Sequence, residues 1–381
     1  MKYMGSKRSM LKNGLGKLLL SECKKYARFI DLFTGAAFVA RYVAENTDRP
    51  VWAVDLQKYS TVLAQAVIGR TEQFASNNLI ENWINIAIAF RDKDPLWQEA
   101  KTHHQNLKRT KKWVLEAREL CETKSKIGPL WNAYGGYYFS PTQALTFDYL
   151  LAYLPEKKQE RELCLAACIT AASECVAAPG HTAQPFQPTV TAKPFIFDAW
   201  KRDAVDYAKK NLVELSTHHA QVKGKAITSD AVKQIKYLNS SDLVFIDPPY
   251  SGVQYSRFYH VLEIMARGDK NVKVEGVGRY PSIEQRPQSK FSNNGQAKEA
   301  LKTLLEKLAE KKCTVIFTFP SGQASNGLSG NYIKEVASDY FKVNDHSTVS
   351  GRFSTLGGNN TGRDARQDSS ELILLMKPRL S

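Results

Sequence analysis

The sequence predicts an α/β fold, with helices on both faces of a central sheet. The clearest strand is the apolar run Leu243–Ile246, which is typical of a strand buried on both faces. It ends at Asp247-Pro-Pro-Tyr250, and because neither proline can donate a hydrogen bond to a sheet, the strand must stop there. Other apolar segments alternate with helical patterns, which indicates the same layered architecture: 27–33, 51–55, 225–230, 314–319 and 371–376.

The turn after this strand lies where open α/β sheets bind ligands, at the carboxyl end of a strand. An exocyclic amino group of a nucleobase is a poor nucleophile, because its lone pair is delocalised into the ring. The Asp247 carboxylate and the Pro248 carbonyl could both accept hydrogen bonds from such an amine and orient its lone pair. Tyr250 could stack on a base drawn out of a duplex. We therefore assign catalysis to Asp247, Pro248, Pro249 and Tyr250, although two prolines could also simply end a strand.

With its preceding strand, Asp247-Pro-Pro-Tyr250 resembles motif IV of the amino methyltransferases that act on N6 of adenine or N4 of cytosine. The aspartate form is more typical of the adenine enzymes. The resemblance implies a Rossmann-like methyltransferase sheet and S-adenosylmethionine as methyl donor, with direct transfer that needs neither metal nor covalent enzyme intermediate. The order of segments, with a long insert between donor and catalytic motifs, resembles the Dam-like alpha group of adenine methylases.

The first residues, Met1-Lys-Tyr3-Met-Gly-Ser-Lys7, resemble motif X, which opens the Dam-like adenine methylases. The resemblance places Tyr3 and Lys7 beside the methyl donor. Lys7 could pair with the methionine carboxylate of that donor.

The strand over 27–33 leads into Thr34-Gly35-Ala-Ala37, a turn of small residues that lets a cofactor approach the backbone. The family pattern, Phe-x-Gly-x-Gly, has a second glycine where this chain has Ala37. The next strand ends at Asp55, 24 residues after Asp31, which is typical of an acid that binds ribose. A nicotinamide dinucleotide could occupy the same crevice, but the chain lacks G-x-G-x-x-G there.

Two further residues complete the predicted donor site. Leu56 is expected to cover the adenine ring of the donor. Asp230, after the strand over 225–230, could accept the adenine amino group or cap the following helix, or both. The residues predicted to bind the donor are Tyr3, Lys7, Asp31, Phe33, Gly35, Asp55, Leu56, Asp230 and Asp247.

The formal net charge of +15 favours a polyanionic partner, and we predict double-stranded DNA. Residues 101–126 hold eight Lys or Arg against three Glu, which indicates either a phosphate track or a solvated helix face. The aromatic, glycine-containing loop over 131–140 suggests an exposed surface that stacks on bases, with packing between domains as the alternative. A Gly/Arg loop over 351–363 could grip phosphates or be a hairpin tip. The predicted DNA contacts are Lys108, Arg109, Lys111, Lys112, Tyr137, Tyr138, Arg352 and Arg363.

Composition narrows the class of protein. With 43% hydrophobic residues, the 381-residue chain can form a substantial core, and it contains no run of 18 apolar residues that would span a membrane. The basic N-terminus lacks the apolar run and cleavage site of a secretion signal. The six cysteines form no C-x-x-C pair, so we expect reduced thiols rather than a zinc site. We expect a cytoplasmic monomer or weak dimer, with a restriction or defence system as a candidate partner.

The predicted organisation is a discontinuous catalytic domain over 1–75 and 196–381, with a mainly helical recognition domain inserted over 76–195. His260 is expected to be a helix residue and not a proton shuttle. The predicted function is site-specific DNA adenine-N6 methylation of a flipped-out adenine. Two alternatives stay open, namely a cytosine-N4 or RNA base methyltransferase of the same fold, and a catalytically silent DNA-binding protein on this scaffold.

Overall fold

The computed structural model describes residues 7–354 and 366–379, with side chains for all but 347–354 and 366–369. The chain divides into two compact units. The sheet unit contains the described residues up to Thr71, His219–Tyr255, and those from Pro287 onward. The helical unit contains Glu72–His218 and Ser256–Arg286. It is larger than the predicted insert over 76–195, because it also takes in residues 196–218 and Ser256–Arg286, which were predicted to belong to the catalytic domain.

Within the described residues, seven strands form one mixed sheet in the order β3-β2-β1-β4-β5-β7-β6. The strands are β1 (Arg28–Asp31), β2 (Val51–Asp55), β3 (Lys225–Thr228), β4 (Asp242–Ile246), β5 (Thr314–Pro320), β6 (Phe341–Ser354) and β7 (Arg366–Pro378). Strands β1 to β5 are parallel, whereas β7 runs antiparallel to both β5 and β6. The middle strand is β4, all of whose residues are buried, as predicted. The carboxyl ends of the parallel strands therefore meet at one edge of the sheet.

The α-helices described in the sheet unit are α1 (Arg8–Met10), α2 (Gly16–Cys23), α3 (Phe38–Asn46), α4 (Lys58–Ile68), α14 (Ala231–Gln234), α17 (Ala297–Glu310) and α18 (Gly330–Tyr340). Those of the helical unit are α5 (Ser76–Leu79), α6 (Ile86–Arg91), α7 (Pro95–Gln105), α8 (Lys111–Leu120), α9 (Pro129–Tyr134), α10 (Pro141–Ala152), α11 (Lys158–Cys175), α12 (Lys193–Trp200), α13 (Ala204–Thr217) and α16 (His260–Arg267). The short α15 (Tyr255–Phe258) spans the boundary between the units. Single turns of π-helix or 3₁₀-helix occur at Ile80–Asn85, Ile235–Tyr237, Ile283–Gln285 and Lys290–Ser292. Between α1 and α2 the chain kinks within Leu11–Leu15, where Asn13 and Gly14 have non-helical dihedral angles.

Helices cover both faces of the sheet, which confirms the predicted fold class. On one face, Val244, Ile246 and Val315 pack in a cluster with residues of α14, α17 and α18. On the other face, Phe29 and Phe245 are equally buried, and α3 and α4 pack against β1 and β2. Because successive side chains of a strand point to opposite faces, this double burial explains why β4 reads as a continuous apolar run rather than an alternating one.

Strand β6 was not predicted. Residues Gly351–Ser354, expected to belong to a Gly/Arg loop, continue this strand, and Arg352 lies opposite Asp368 of β7. The loop prediction is wrong for these residues, because antiparallel pairing with β7 overrides the weak strand propensity of glycine. The predicted contact Arg363 lies outside the described residues.

The helical unit has a core of its own around Trp113, Val114 and Trp200. Cys164, Cys168 and Cys175 are buried along α11, as predicted for small packing side chains. No helix within 7–354 or 366–379 is both long and apolar enough to cross a bilayer.

Candidate active site

The Asp247–Tyr250 turn lies at the carboxyl end of the middle strand, and two neighbouring side chains donate hydrogen bonds to it. Thr318 on β5 donates a hydrogen bond of 2.9 Å to Asp247 Oδ1. The buried Asn326 donates from Nδ2 to the Pro249 carbonyl at 2.9 Å. The Pro248 carbonyl has no hydrogen-bond partner within the described part of the chain. One carboxylate and one uncommitted carbonyl, both on a rigid backbone, are therefore available at the turn.

Lys7 reaches this turn from the start of the chain. Its Nζ lies 3.0 Å from Asp247 Oδ1 and 2.9 Å from Glu371 Oε2 on β7, and only 4% of the residue is exposed. Burial lowers the pKa of Lys7, but the two carboxylates more than offset this effect, so the pKa is raised overall. Lys7 is therefore a charged ammonium shared by two carboxylates.

Asp247 titrates closer to neutral pH than a free aspartate. Burial raises its pKa to about 6, while Lys7 opposes the rise and Glu371 adds to it. Glu371 thus acts on Asp247 both directly and by competing for Lys7. An ionised Asp247 is a strong hydrogen-bond acceptor, so its acceptor strength depends on the charge of this three-residue cluster.

Two of the predicted donor-site residues are joined by a hydrogen bond at the ends of β1 and β2. Asp55 Oδ2 accepts from the backbone N–H of Gly35 at 2.8 Å, and Oδ1 accepts from that of Gln57 at 2.8 Å. Asp31 is fully buried, and burial, together with Asp247 and Asp55, holds its pKa well above the ordinary value. The structure therefore brings Asp31, Asp55 and Asp247 into one electrostatic group, as expected for strand ends on one edge.

Ala37, which departs from the family pattern, adopts a left-handed conformation with φ of 63° at the N-cap of α3. This region favours glycine, and an L-residue there costs roughly 1–2 kcal/mol. Gly35, with φ of 53°, occupies the same region. The turn thus keeps the backbone of a two-glycine loop although only one glycine remains.

The other residues predicted to bind the methyl donor differ in exposure and in the contacts that they form. Phe33 is half-buried and packs edge-on against Phe291, with ring centroids 5.2 Å apart. Leu56 is half-buried beside Asp55. Asp230 is exposed and caps α14 by accepting from the N–H groups of Val232 and Lys233, which is the capping alternative. Tyr3 lies outside the described residues.

Several site residues escaped the sequence reasoning. Thr318 and Asn326 carry no local motif, and only the register of β5 beside β4 places Thr318 next to Asp247. Glu371 offered a weak signal, since it lies at one end of an apolar segment, as Asp31, Asp55 and Asp247 do. Tyr250 packs edge-on with both Tyr255 and Phe319, at centroid distances of 6.4 Å.

In the helical unit, the prediction of an exposed aromatic loop is wrong. Trp131, Tyr134, Tyr138 and Phe139 are completely buried. The hydroxyl of Tyr138 lies 2.7 Å from the Thr182 carbonyl and 2.8 Å from the Gly278 carbonyl. Tyr138 therefore cannot stack on a base in this structure. The prediction failed because a segment rich in glycine and aromatic residues can pack in a core as well as lie on a surface.

His260 begins α16, as predicted, beneath these rings. Its two ring nitrogens lie 3.2 Å from the Tyr134 hydroxyl and 3.3 Å from the Tyr138 hydroxyl. Burial lowers the pKa of His260 to about 3. The imidazole is therefore neutral near pH 7 and belongs to a packed hydrogen-bond network.

Tyr137 is the exception in this loop, because it is only half-buried. The guanidinium carbons of Arg118 and Arg279 lie 4.2 Å and 4.0 Å from its ring centre. Its predicted DNA contact stays a prediction, although two cations already occupy the ring.

The basic run is exposed, as a phosphate track requires. Lys108 and Arg109 lie in the loop between α7 and α8, and Lys111 and Lys112 form the first turn of α8. No acid lies in that turn, although acids are what a helix N-terminus favours. Of these four, Lys112 alone forms an ion pair with a carboxylate of the described residues, Glu116 at 3.8 Å. Lys108 also borders an open pocket of about 700 Å³.

Comparison with known proteins agrees with this geometry. A model of the D12 class of N6 adenine-specific DNA methyltransferases matches residues 3–118 and 155–315. The type II methyltransferase M.FokI of Planomicrobium okeanokoites is 25% identical over 318 residues, which cover 81% of this chain and 43% of that protein. The modification methylase StsI of Streptococcus sanguinis is 25% identical over 319 residues, covering 81% and 42%. The chain thus spans less than half the length of these two relatives. The match over most of its residues shows that the chain belongs to the family of D12 class N6 adenine-specific DNA methyltransferases.

Proposed function

We propose that this chain transfers a methyl group from S-adenosylmethionine to N6 of a flipped-out adenine in double-stranded DNA. The observation that carries this proposal is the pairing of an Asp247 carboxylate with an uncommitted Pro248 carbonyl at the end of β4. Two acceptors on one rigid turn match the two N–H bonds of an exocyclic amine. The family, whose description names adenine N6, supports the choice of base.

The residues at the strand ends fit the proposed donor by charge. Asp31, Asp55, Asp247 and Glu371 lie at these strand ends, and Lys7 pairs with Asp247 and Glu371. The mutual repulsion of the carboxylates contributes to the raised pKa values of Asp31 and Asp247. A cationic ligand would relieve this repulsion. Bound S-adenosylmethionine would supply an electrophilic methyl group on a positively charged sulfur. Asp55, Phe33 and Leu56 are the residues we propose to hold it, with the Gly35 backbone at its edge.

The chain's own residues then prepare the amine. Asp247 and the Pro248 carbonyl accept its two N–H bonds and turn its lone pair toward the methyl group. Lys7 keeps Asp247 ionised, and Thr318 and Asn326 fix the two sides of the turn. Tyr250 stacks on the extruded base. After methyl transfer, the surplus proton of the amine passes to water or to Asp247.

DNA is proposed to contact the exposed basic run of Lys108, Arg109, Lys111 and Lys112 in the helical unit. Placing cations in the first turn of a helix opposes the helix dipole, so an anionic partner would compensate for that cost. The names of the two relatives, a type II methyltransferase and a modification methylase, support a restriction system as the biological setting. We also propose that the protein is cytoplasmic and is a monomer or weak dimer, as the sequence predicts.

The test is incubation of the purified chain with radiolabelled S-adenosylmethionine and four substrates: duplex DNA, single-stranded DNA, duplex RNA and single-stranded RNA. Nucleoside analysis should recover the label as N6-methyladenine from duplex DNA. Asp247→Asn serves as the control for contaminating activity. Label recovered only as N4-methylcytosine, or only from RNA, would contradict the proposal, and no label at all would favour a silent DNA-binding protein.

A further inference from the structure

Two arginines lie on the ring of Tyr137, which is half-buried in the helical unit. The guanidinium carbon of Arg118 lies 4.2 Å from the ring centre, and that of Arg279 lies 4.0 Å from it. Two positive charges are thus held close together by one aromatic ring. Neither arginine forms an ion pair with a carboxylate of the residues that the structure describes. An anion would stabilise this arrangement, because it would relieve the mutual repulsion of the two charges.

Arg118 is fixed by the loop that carries Tyr137. Its Nε donates to the Gly136 carbonyl at 3.1 Å, and its Nη2 donates to Gln187 Oε1 at 3.5 Å. The loop can approach α8 this closely only because residue 136 is a glycine. A Cβ at this position would lie 2.7 Å from the Arg118 Cα, and the backbone φ of 72° also favours glycine. Gly136 therefore allows Tyr137 to pack against Arg118.

Arg279 lies in a tight turn in which its own backbone is strained. Glu275 and Tyr280 exchange backbone hydrogen bonds of 2.8 Å and 2.9 Å across this turn. Arg279 has a φ of 49°, in the left-handed region that favours glycine. Its Nε donates to the Ala133 carbonyl while the guanidinium lies over Tyr137. A strained arginine where glycine would be relaxed indicates that the guanidinium itself is needed at this place.

Part of each guanidinium has no protein partner. Within the described residues, Arg118 Nη1 and the two Nη atoms of Arg279 form no hydrogen bond. Burial lowers the pKa of Arg118, Tyr137 opposes this effect, and Arg279 lowers the pKa further. The group stays charged near pH 7, because the ordinary pKa of arginine lies far above that value. The cluster therefore offers planar N–H donors together with a concentrated positive charge.

Arg118 lies on the same face of α8 as the exposed basic run at the start of that helix. Lys111, in the first turn, precedes Arg118 by seven residues, which is two helical turns or roughly 10 Å. The side chains of these two residues therefore point in nearly the same direction. Lys108 and Arg109 lie in the loop immediately before α8. The basic surface thus extends along the helix to Tyr137.

We propose that Arg118 and Arg279, positioned by Tyr137, bind a backbone phosphate of the DNA substrate. Guanidinium groups suit this role, because their planar N–H donors match phosphate oxygens in pairs. The proposal rests on the proposed function only in taking duplex DNA as the polyanion. Tyr137 then acts as a platform for the two arginines and does not stack on a base. The site adds a phosphate contact that is fixed by hydrogen bonds to the solvated lysines of the basic run.

The test compares Arg279→Gly with Lys273→Gly. Glycine suits the left-handed backbone at position 279, so the first variant removes a guanidinium without adding strain. Lys273 is an exposed residue of the same segment, and its variant has the same change of charge. Fluorescence anisotropy of a labelled duplex at several salt concentrations gives the slope of log affinity against log salt. Arg279→Gly should bind about tenfold more weakly at moderate salt, with a slope reduced by about 0.9.

Two further variants complete the comparison. Lys273→Gly should lose less affinity than Arg279→Gly and little slope. The double variant Arg118→Gln/Arg279→Gly should lose about 1.8 in slope, because both contacts are removed. If Arg279→Gly fails to unfold cooperatively on heating, Arg118→Gln alone decides, with an expected slope reduction of about 0.9.

The outcomes separate the phosphate site from the proposed function. Equal slopes and affinities for the wild type and Arg279→Gly would overturn the phosphate site, even if the wild type methylates duplex adenine. Equal losses in Arg279→Gly and Lys273→Gly would also overturn it, because net charge alone would then account for binding. A reduced slope in Arg279→Gly without any methyl transfer by the wild type would instead contradict the proposed function and leave the site standing. Competition by inorganic phosphate as strong as competition by unlabelled duplex would overturn the assignment to DNA.

Discussion

The sheet unit and the helical unit place their polar residues by different physical rules. In the sheet unit, parallel strands bring Asp31, Asp55 and Asp247 to one edge, so strand ends alone locate the candidate site. In the helical unit, the proposed DNA contacts depend on which side chains are exposed, and exposure depends on packing between segments that are distant in sequence. Tyr138 is buried although its sequence context resembles a surface loop, whereas Lys108 and Lys111 are exposed. The order of the strands therefore predicts the residues of the candidate active site better than residue composition predicts the surface of the helical unit.

The largest expected effect is at the end of β4. Asp247→Ala removes one of the two acceptors for the reacting amine, so the rate of methyl transfer should fall by roughly 10²–10⁴-fold, the range for loss of a group that acts on the reacting proton. Asp247→Asn should fail almost as badly, because an amide is a weaker acceptor than a carboxylate. Single-turnover transfer of labelled methyl to duplex DNA measures both. A folded Asp247→Ala protein that keeps substantial turnover would contradict the assigned role.

A substitution at the start of the same strand should lower the stability of the protein and leave its methyl-transfer activity in place. Asp242 is buried and accepts from Arg28 Nε and Nη2, both at 2.7 Å. Asp242→Ala should lower the free energy of unfolding by about 3 kcal/mol, because it leaves a partly buried guanidinium unpaired. Methyl transfer by the folded fraction should persist. Urea denaturation supplies the stability, and a variant that loses activity without losing stability would show that the two ends of β4 do not divide structure from chemistry.

The sequence correctly predicted those residues that belong to a local motif. The double proline after an apolar run fixed the end of β4, and Val51–Asp55 was predicted to the residue. Glu371 and Asn326 were missed, because they enter the site from 124 and 79 positions beyond Asp247 through pairing that no local motif encodes. The aromatic loop failed for a different reason, since its partners Thr182 and His260 lie far away in sequence.

The proposed DNA contact of the helical unit can be tested by replacing its exposed basic residues. Replacing Lys108, Arg109, Lys111 and Lys112 by alanine should weaken binding to all duplex sequences about equally, because phosphate contacts do not read bases. The slope of log affinity against log salt should fall by up to about 3.6, at 0.9 for each lost contact. Affinity for S-adenosylmethionine should not change. Coinciding slopes in anisotropy titrations would reduce this run to a solvated helix face.

The smallest expected effect concerns the one strained residue of the donor turn. Ala37→Gly relieves a left-handed alanine but gives the unfolded chain about 0.4–1 kcal/mol more entropy. The free energy of unfolding should therefore stay the same or rise by up to about 1.6 kcal/mol. Ala40→Gly, inside α3, is the matched control and should cost about 1 kcal/mol. Similar losses in both variants by urea denaturation would show that the backbone at Ala37 is not strained.

The pH dependence of methyl transfer tests most directly whether an ionised Asp247 accepts the reacting amine. Its pKa is raised to about 6 by burial and by Glu371, against the effect of Lys7. Activity requires the carboxylate, so kcat/KM for DNA should be full above this pKa and fall about tenfold for each pH unit below it. Glu371→Gln removes a negative neighbour, so the acidic limb of the profile should move to lower pH. A profile that is flat between about pH 5 and pH 7, or an acidic limb that Glu371→Gln leaves in place, would contradict the role of Asp247.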